Sequence, residues 1–484
     1  MSIFYKKALC ATGIFAALYL LVGIFSVSLR AEELDTKQLN IEEELTLNAA
    51  IMAAVLYDPW LQENRYQQNS LESMSVAAGS LPDPKISLGI ANIAAETFQF
   101  DQEMMTQFKV GVSQMIPRGD SLAIKQQQLK LMAGEYPLQR ENRKANIIVK
   151  VSHLWLDIFR AQQSIALIEK DRALFEQLAD IAQASYASTL GKTRQQDIVR
   201  AQLELTRLDD RLTMLKQQKE TGLRQLSEWT NDAFTADYFI GMKFEPLQQN
   251  NLPVMVSRNL PNVKMLNPEI YLDKKIMTAQ KMSEFLAMHP SILALEQRIL
   301  ASKSGIELAK QNYKPAWGLN AGYGYRADDP LGRERADLFT IGVSFDLPLF
   351  TGNRQDQQMR SAVSNSAAVK TRKWMMVRKM IAAVESSRVQ LKRSIERQRL
   401  YQKKLLPQMH DQAEASLTAY TNDDGDFDEV IRSKIAELNA SIESIEIDVE
   451  KQKSIVQLNY FFMKNNQEII TSKSNRSTLA GDLE

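Results

Sequence analysis

Five carboxylates fall within seven residues, at Asp423, Asp424, Asp426, Asp428 and Glu429, around Gly425 and Phe427. Carboxylates this close repel one another and draw in cations, and just ahead of a helix they satisfy its free amides and its dipole. Two readings stand side by side. One is a solvated turn in which Asp428 caps the helix that follows; the other is a charged ring, if symmetry gathers several copies. Arg432 sits one turn further on, as a partner for the acids or as simple charge balance. An earlier stretch, Gly191 to Asp197, carries Lys192, Arg194 and Asp197, so the two turns differ in sign and can attract.

Other reactive groups are scarce. The 484 residues hold one cysteine and three histidines, and His153, His289 and His410 lie far apart without ligand spacing. The sequence therefore points to no catalytic residue, no resident metal and no cofactor. Twenty methionines include Met104-Met105, Met375-Met376 and Met380, and thioethers suit Cu(I). At helical spacing, however, methionine is ordinarily core filler. No Ser/His/Asp, Cys/His or glycine-rich phosphate motif occurs in a suitable context, which argues against an enzyme. Lys and Arg number 59 against 58 Asp and Glu, so no net field exists to hold a nucleic acid.

Lys6 and Lys7 precede an uncharged run from Ala8 to Leu29, the pattern of a secretory signal over residues 1–31. Its removal takes Lys6, Lys7, Arg30 and Cys10 with it. That leaves 56 basic against 58 acidic residues and no thiol.

A shift of 231 residues superposes Pro59 on Pro290, Pro84 on Pro315, Phe108 on Phe339, Pro117 on Pro348, and Gly111-Val112-Ser113 on Gly342-Val343-Ser344. A constant offset over such a length marks a tandem duplication. Ile198-Val199-Arg200 corresponds more loosely to Val430-Ile431-Arg432. The expected organisation is a first repeat over 32–231, an irregular connector over 232–284, a second repeat over 285–465 and a polar tail over 466–484. The connector is marked by prolines 246, 253, 261 and 268. Asp58-Pro59 and His289-Pro290 each read as lying inside a helical stretch.

Within each repeat the hydrophobic period changes in the same order. Strand pairs are expected at 84–93/106–116 and 315–326/337–349, each strand with one apolar face. In the last of them Phe339, Ile341, Val343 and Phe345 alternate with Thr340, Ser344 and Asp346, three candidates for a water-filled lumen. Trp317, Tyr323 and Tyr325 suit an interfacial aromatic girdle. The flanking stretches are long helices. One is read from about Asp120 to Ser185 with a heptad seam through Val151, Leu154, Ile158, Ala161, Ile165, Ile168, Phe175, Ala179 and Ala182. Its length would be roughly 100 Å. Pro137 and Pro407 should kink or interrupt such helices.

Strands of about ten residues with one apolar face match a bilayer's hydrocarbon layer, where a sheet must close on itself. Four strands are too few, since membrane barrels begin at eight. Three chains would supply twelve, a hollow barrel.

Two strand pairs, heptad helices, the duplication, the Leu45-Thr46-Leu47 opening, and the Tyr186–Gly191 and Tyr420–Gly425 turns together resemble the TolC family of outer-membrane efflux channels. The resemblance covers about 45 to 465. Pro82-Asp83-Pro84 with Gln114 to Asp120 is similar to members serving resistance-nodulation-division pumps, including the heavy-metal branch. It implies a mostly α fold with a small β part. Long antiparallel coiled-coil helices would form an α-barrel, and four strands per chain would enter a trimeric 12-stranded transmembrane β-barrel. It further implies a homotrimer in the bacterial outer membrane, in contact with its lipid, with the helices in the periplasm, a periplasmic adaptor and an inner-membrane pump as partners, and passive conduction outward. In that family acidic residues constrict the periplasmic entrance, and Glu429 best matches one of them; Arg432 departs where an acid can occur. The competing reading is an inner-membrane-anchored periplasmic coiled-coil structural or adaptor protein without a barrel.

Overall fold

The computed structural model describes residues 44–187, 194–230, 255–273, 278–422 and 424–463. The expected signal at 1–31, the tail after 466, Lys192 and Asp423 lie outside the described residues.

The elements alternate as the period of the sequence does. β1 (Glu44–Leu45), α1 (Leu47–Leu56) and α2 (Pro59–Ala78) lead to the hairpin β2 (Lys85–Ala91) and β3 (Gln107–Ile116). Next come α3 (Ser121–Ala133), α4 (Glu135–Ala187) and α5 (Gln195–Thr230), followed by β4 (Met255–Val256), α6 (Pro268–Leu272) and α7 (Ala279–Leu286). Then α8 (Pro290–Gln311), β5 (Trp317–Tyr325), β6 (Leu338–Phe345), α9 (Gln355–Leu400), α10 (Leu406–Thr421) and α11 (Phe427–Phe461) complete the order. No described helix is long and apolar enough to cross a membrane.

The two helices that lead into the hairpins, α2 and α8, each start with a cap and a proline. Asp58 accepts from Trp60 N at 3.4 Å with Pro59 behind it, and His289 accepts from Ser291 N at 3.2 Å with Pro290 behind it. Proline belongs at this first position because its missing N–H would be unpaired there anyway. The two dipeptides therefore begin α2 and α8 and do not lie inside them, which corrects the reading from sequence.

His289 is buried against the edge of Tyr460, at 4.8 Å between ring centroids, and burial pushes its pKa down to about 4. The neutral ring is thus the folded form, and its contribution is present above pH 6.5 and lost as pH falls toward 4. A shift of this size corresponds to roughly 3 kcal/mol. The melting temperature should fall between pH 7 and pH 4.5, and His289→Asn, which keeps a cap acceptor, should flatten that fall.

The expected single helix from Asp120 to Ser185 is broken at Gly134. Pro137 has no N–H for the carbonyl of Ala133, and its ring would strike that carbonyl, so α3 ends there. The remaining α4 has 53 residues, about 80 Å at 1.5 Å per residue. Pro407 acts similarly: the turn Tyr401–Leu405 before it widens to π-helical geometry, which makes room for the ring.

Along α4 the seam positions Val151, Ile158, Ala161, Ile168, Phe175 and Ala182 are buried. Toward the far end they meet Ala201, Leu208 and Leu212 of α5 and Val430, Ile431 and Leu438 of α11 in one cluster. Nearer the middle, Val151, Trp155 and Phe159 pack with α1 and with Val256. There β1 and β4 form a two-residue parallel ladder, tied to α4 by Trp155 Nε1 donating to the Leu45 carbonyl at 2.8 Å and Gln162 to that of Val256 at 2.8 Å. These bonds satisfy backbone groups that the short ladder leaves unpaired.

The sheet is antiparallel throughout, in the order β2-β3-β5-β6. The two hairpins are joined through β3 and β5, leaving β2 and β6 as edges.

Candidate functional site

Register decides what each face of the sheet presents. Ile86 faces Val112, which faces Ala321, which faces Ile341; Leu88, Val110, Tyr323 and Phe339 form the next row. One face is therefore a continuous apolar surface, with Ile86, Leu88, Phe339 and Ile341 each about 70 % exposed in the single chain. So large a patch on one chain demands a cover. Aromatic residues close it at both ends. Trp317 and Phe345 meet at 5.0 Å near the helices, and Phe100 stacks on Tyr325 at 6.5 Å near the loops.

The other face is mostly small or polar, with Met115 and Leu338 toward its ends. Thr340 and Ser344 stand on it with Ser87, Ser113, Asn320 and several glycines. Asp346 lies just past the end of β6, where it accepts from Ala316 N at 2.6 Å and pairs with Arg118. Arg118 also donates to the carbonyls of Asn312 and Lys314, at 3.1 and 2.8 Å. Asp346 thus fastens the joint between sheet and helices at its rim. The adjacent turn needs Gly119, whose φ of +46° disfavours a side chain.

At the opposite end, α10 and α11 make a tight hairpin beside α4 and α5. Phe427 is buried and meets Tyr420 edge-on at 5.6 Å, so the acidic turn is pinned by an aromatic pair. Asp426 holds the N-cap position of α11 without a side-chain bond, while Asp428 and Glu429 lie in its first turn. The cap is therefore Asp426 and not Asp428. Asp428 instead receives Arg432 from its own helix and Arg200 from α5. Asp424, Asp426 and Glu429 are exposed. Asp197 accepts from Arg194 N at 2.8 Å at the start of α5.

Arg200 is the residue that reasoning from sequence passed over. Its signal was present, because Ile198-Val199-Arg200 is the counterpart of Val430-Ile431-Arg432, and each arginine reaches the same carboxylate. A second polar group was also missed: Lys434 bridges Glu414 and Glu437 at 2.7 and 3.2 Å, and Glu437 accepts from His410 at 2.7 Å. Glu437 raises the pKa of His410, and Lys434 lowers that of Glu414. The charged His410–Glu437 contact is full below pH 6.5 and fades as pH rises through the raised value. An NMR titration should place His410 above 6.5, and Glu437→Gln should return it toward 6.5.

Gly425 permits the turn. A Cβ there would lie 2.7 Å from the backbone nitrogen of Tyr420 and 2.9 Å from the carbonyl carbon of Ala419. Backbone cannot swing aside as a side chain can. Gly425→Ala should cost about 1–3 kcal/mol, read as a lower melting temperature and faster tryptic cutting at the hairpin.

Residues 282–442 match the sequence profile of the family described as outer membrane efflux protein. The outer membrane efflux protein BepC of Brucella suis biovar 1 (strain 1330) is 23 % identical over 229 residues, 46 % of this chain and 43 % of BepC. The match thus spans less than half the length of that relative. The Campylobacter jejuni CmeC outer membrane channel superposes with a TM-score of 0.67 at 14 % identity, covering 86 % of this chain and 85 % of that one. The outer membrane protein VceC of Vibrio cholerae gives a TM-score of 0.67 at 12 % identity, covering 86 % and 95 %. These structural likenesses are of fold. They bear out a mostly helical chain with long antiparallel helices and four strands for a barrel.

Proposed function

We propose that this chain, a member of the TolC-type outer membrane efflux protein family, is the exit duct of a tripartite efflux system in the bacterial outer membrane. Three copies close a twelve-stranded barrel around a lumen that includes Thr340 and Ser344, with the helices continuing the duct into the periplasm. Conduction is passive. Energy comes from an inner-membrane pump, of the resistance-nodulation-division type, through a periplasmic adaptor that docks at the helical end. At that end three copies of Asp423, Asp424, Asp426, Asp428 and Glu429 ring the entrance, with Asp197, Arg200 and Arg432 beside them. The chain reads as two tandem repeats, 32–231 and 285–465, joined by the connector 232–284.

One observation carries this reading. The four-stranded sheet has an outer face apolar in every position but Gln114, near the helices, and two unpaired edges, and a closed barrel in lipid accommodates both. An adaptor without a barrel leaves that face unexplained. Outer-membrane fractions run unheated should show a slow-migrating trimer that collapses to monomer on heating. Recovery in the inner membrane with an uncleaved N-terminus would support the adaptor instead.

A further inference from the structure

Closure requires β6 of one copy to pair with β2 of the next, and we infer the register of that seam: Ser344 opposite Gly89, and Val343 opposite Ile90 of the neighbouring copy. The inference rests on the trimeric barrel proposed above. Its first support is the junction between hairpins inside the chain, where β3 meets β5 with Ser113 opposite Asn320 and Val112 opposite Ala321. The 231-residue offset carries β3 onto β6 and β5 onto β2. Ser113 becomes Ser344, Asn320 becomes Gly89, Val112 becomes Val343, and Ala321 becomes Ile90. The seam between copies is then the same kind of junction as the one within each copy.

The offset alone leaves an ambiguity of one two-residue step, since the two hairpins differ by that much: Ser87 faces Gly111, while its counterpart Gly318 faces Ser344. The polar face removes it. Three times within the chain a polar side chain lies across from a glycine and fills the space over it. The Ser87 hydroxyl comes within 2.6 Å of a Cβ placed at Gly111, that of Ser344 within 2.5 Å of one at Gly318, and the Asn320 amide within 2.7 Å of one at Gly342. Gly89, on the edge strand, has nothing within 4 Å of its Cβ position. The inferred register sets Ser344, whose hydroxyl leans over Gly318 in the single chain, opposite that opening, where a serine on the edge strand can turn either way. A step one way would bring Asp346, which Arg118 and Ala316 already hold; a step the other way would set Gly342 against Gly89 and Ser344 against Ser87.

Both faces agree with this choice. Val343–Ile90 and Phe345–Leu88 join the apolar surface without a break, as lipid contact requires.

Directly opposed residues of antiparallel strands lie about 4.5–5.5 Å apart at Cα, within disulfide range. In the full-length protein carrying Cys10→Ser, the pair Ser344→Cys/Gly89→Cys should give a covalent trimer on oxidation. Ser113→Cys/Asn320→Cys is the control that should close within one chain. Ser344→Cys with Ser87→Cys or Ala91→Cys should stay largely uncrosslinked, at least tenfold below Gly89→Cys. Preferential crosslinking to position 87 or 91 would overturn the register. So would a heat-modifiable trimer in which none of the three pairs crosslinks. An unheated sample that runs only as monomer would sink the barrel proposal itself.

Discussion

Replacing Ile341 by arginine is expected to abolish assembly in the outer membrane, while the same change at its neighbour Thr340 leaves the trimer intact. Ile341 sits midway along β6, opposite Ala321 and in the row that runs to Val112 and Ile86. In the proposed barrel that row faces the middle of the hydrocarbon layer. An arginine at such depth costs about 2–4 kcal/mol per chain, and symmetry applies it three times. Thr340 points the other way, among glycines and serines, where a long charged side chain can stay in water. The contrast between adjacent residues controls for effects on strand formation, because both substitutions change the same strand by the same side chain. Unheated electrophoresis of membrane fractions provides the readout. Loss of the trimer from both variants, or from neither, would remove the assignment of faces.

Severing Arg200 from Asp428 is expected to open the helical end, whereas severing Arg432 from Asp428 is not. Both arginines reach one carboxylate, but Arg432 lies on the same helix, four residues on, and travels with it when the hairpins move apart. Of these two, Arg200 on α5 is the one that crosses between hairpins, nearest their tips. Exposed pairs of this kind contribute about 0.2–1 kcal/mol each. In the proposed trimer three copies would bias a closed mouth by up to roughly 3 kcal/mol, a population shift on the order of a hundredfold at most. Arg200→Ala should raise open-channel occupancy in planar bilayers, and Arg200→Glu should raise it further by opposing two carboxylates. Arg432→Ala should behave as the parent protein does. Equal effects of the two alanine variants would indicate that the turn merely carries charge and does not latch.

The strands were legible in the sequence because the two faces of a barrel wall ask for opposite chemistry, and Phe339, Ile341, Val343 and Phe345 against Thr340, Gly342 and Ser344 show it without ambiguity. Long helices were legible for a similar reason, since a seam such as Val151, Ile158, Ile168 and Phe175 cannot be solvated over its length. The break at Gly134 was less visible. A heptad pattern continues on both sides of it, and only the geometry of Pro137 forces the stop. Asp58 and His289 were misplaced inside helices because a capping residue followed by proline looks interior when the chain on both sides is helical. At the tip, the acids were obvious and their partners were not. Ion pairs between residues more than two hundred positions apart leave no local pattern, and only the correspondence between Arg200 and Arg432 hinted at the contact.

Planar-bilayer recording of the purified full-length protein separates a conducting duct from a non-conducting scaffold. A duct gives discrete, long-lived conductance steps from trimers, altered in size or in block by multivalent cations when Asp423, Asp424, Asp426, Asp428 and Glu429 are neutralised together. A correctly folded protein that inserts no conducting unit into the bilayer would contradict the duct.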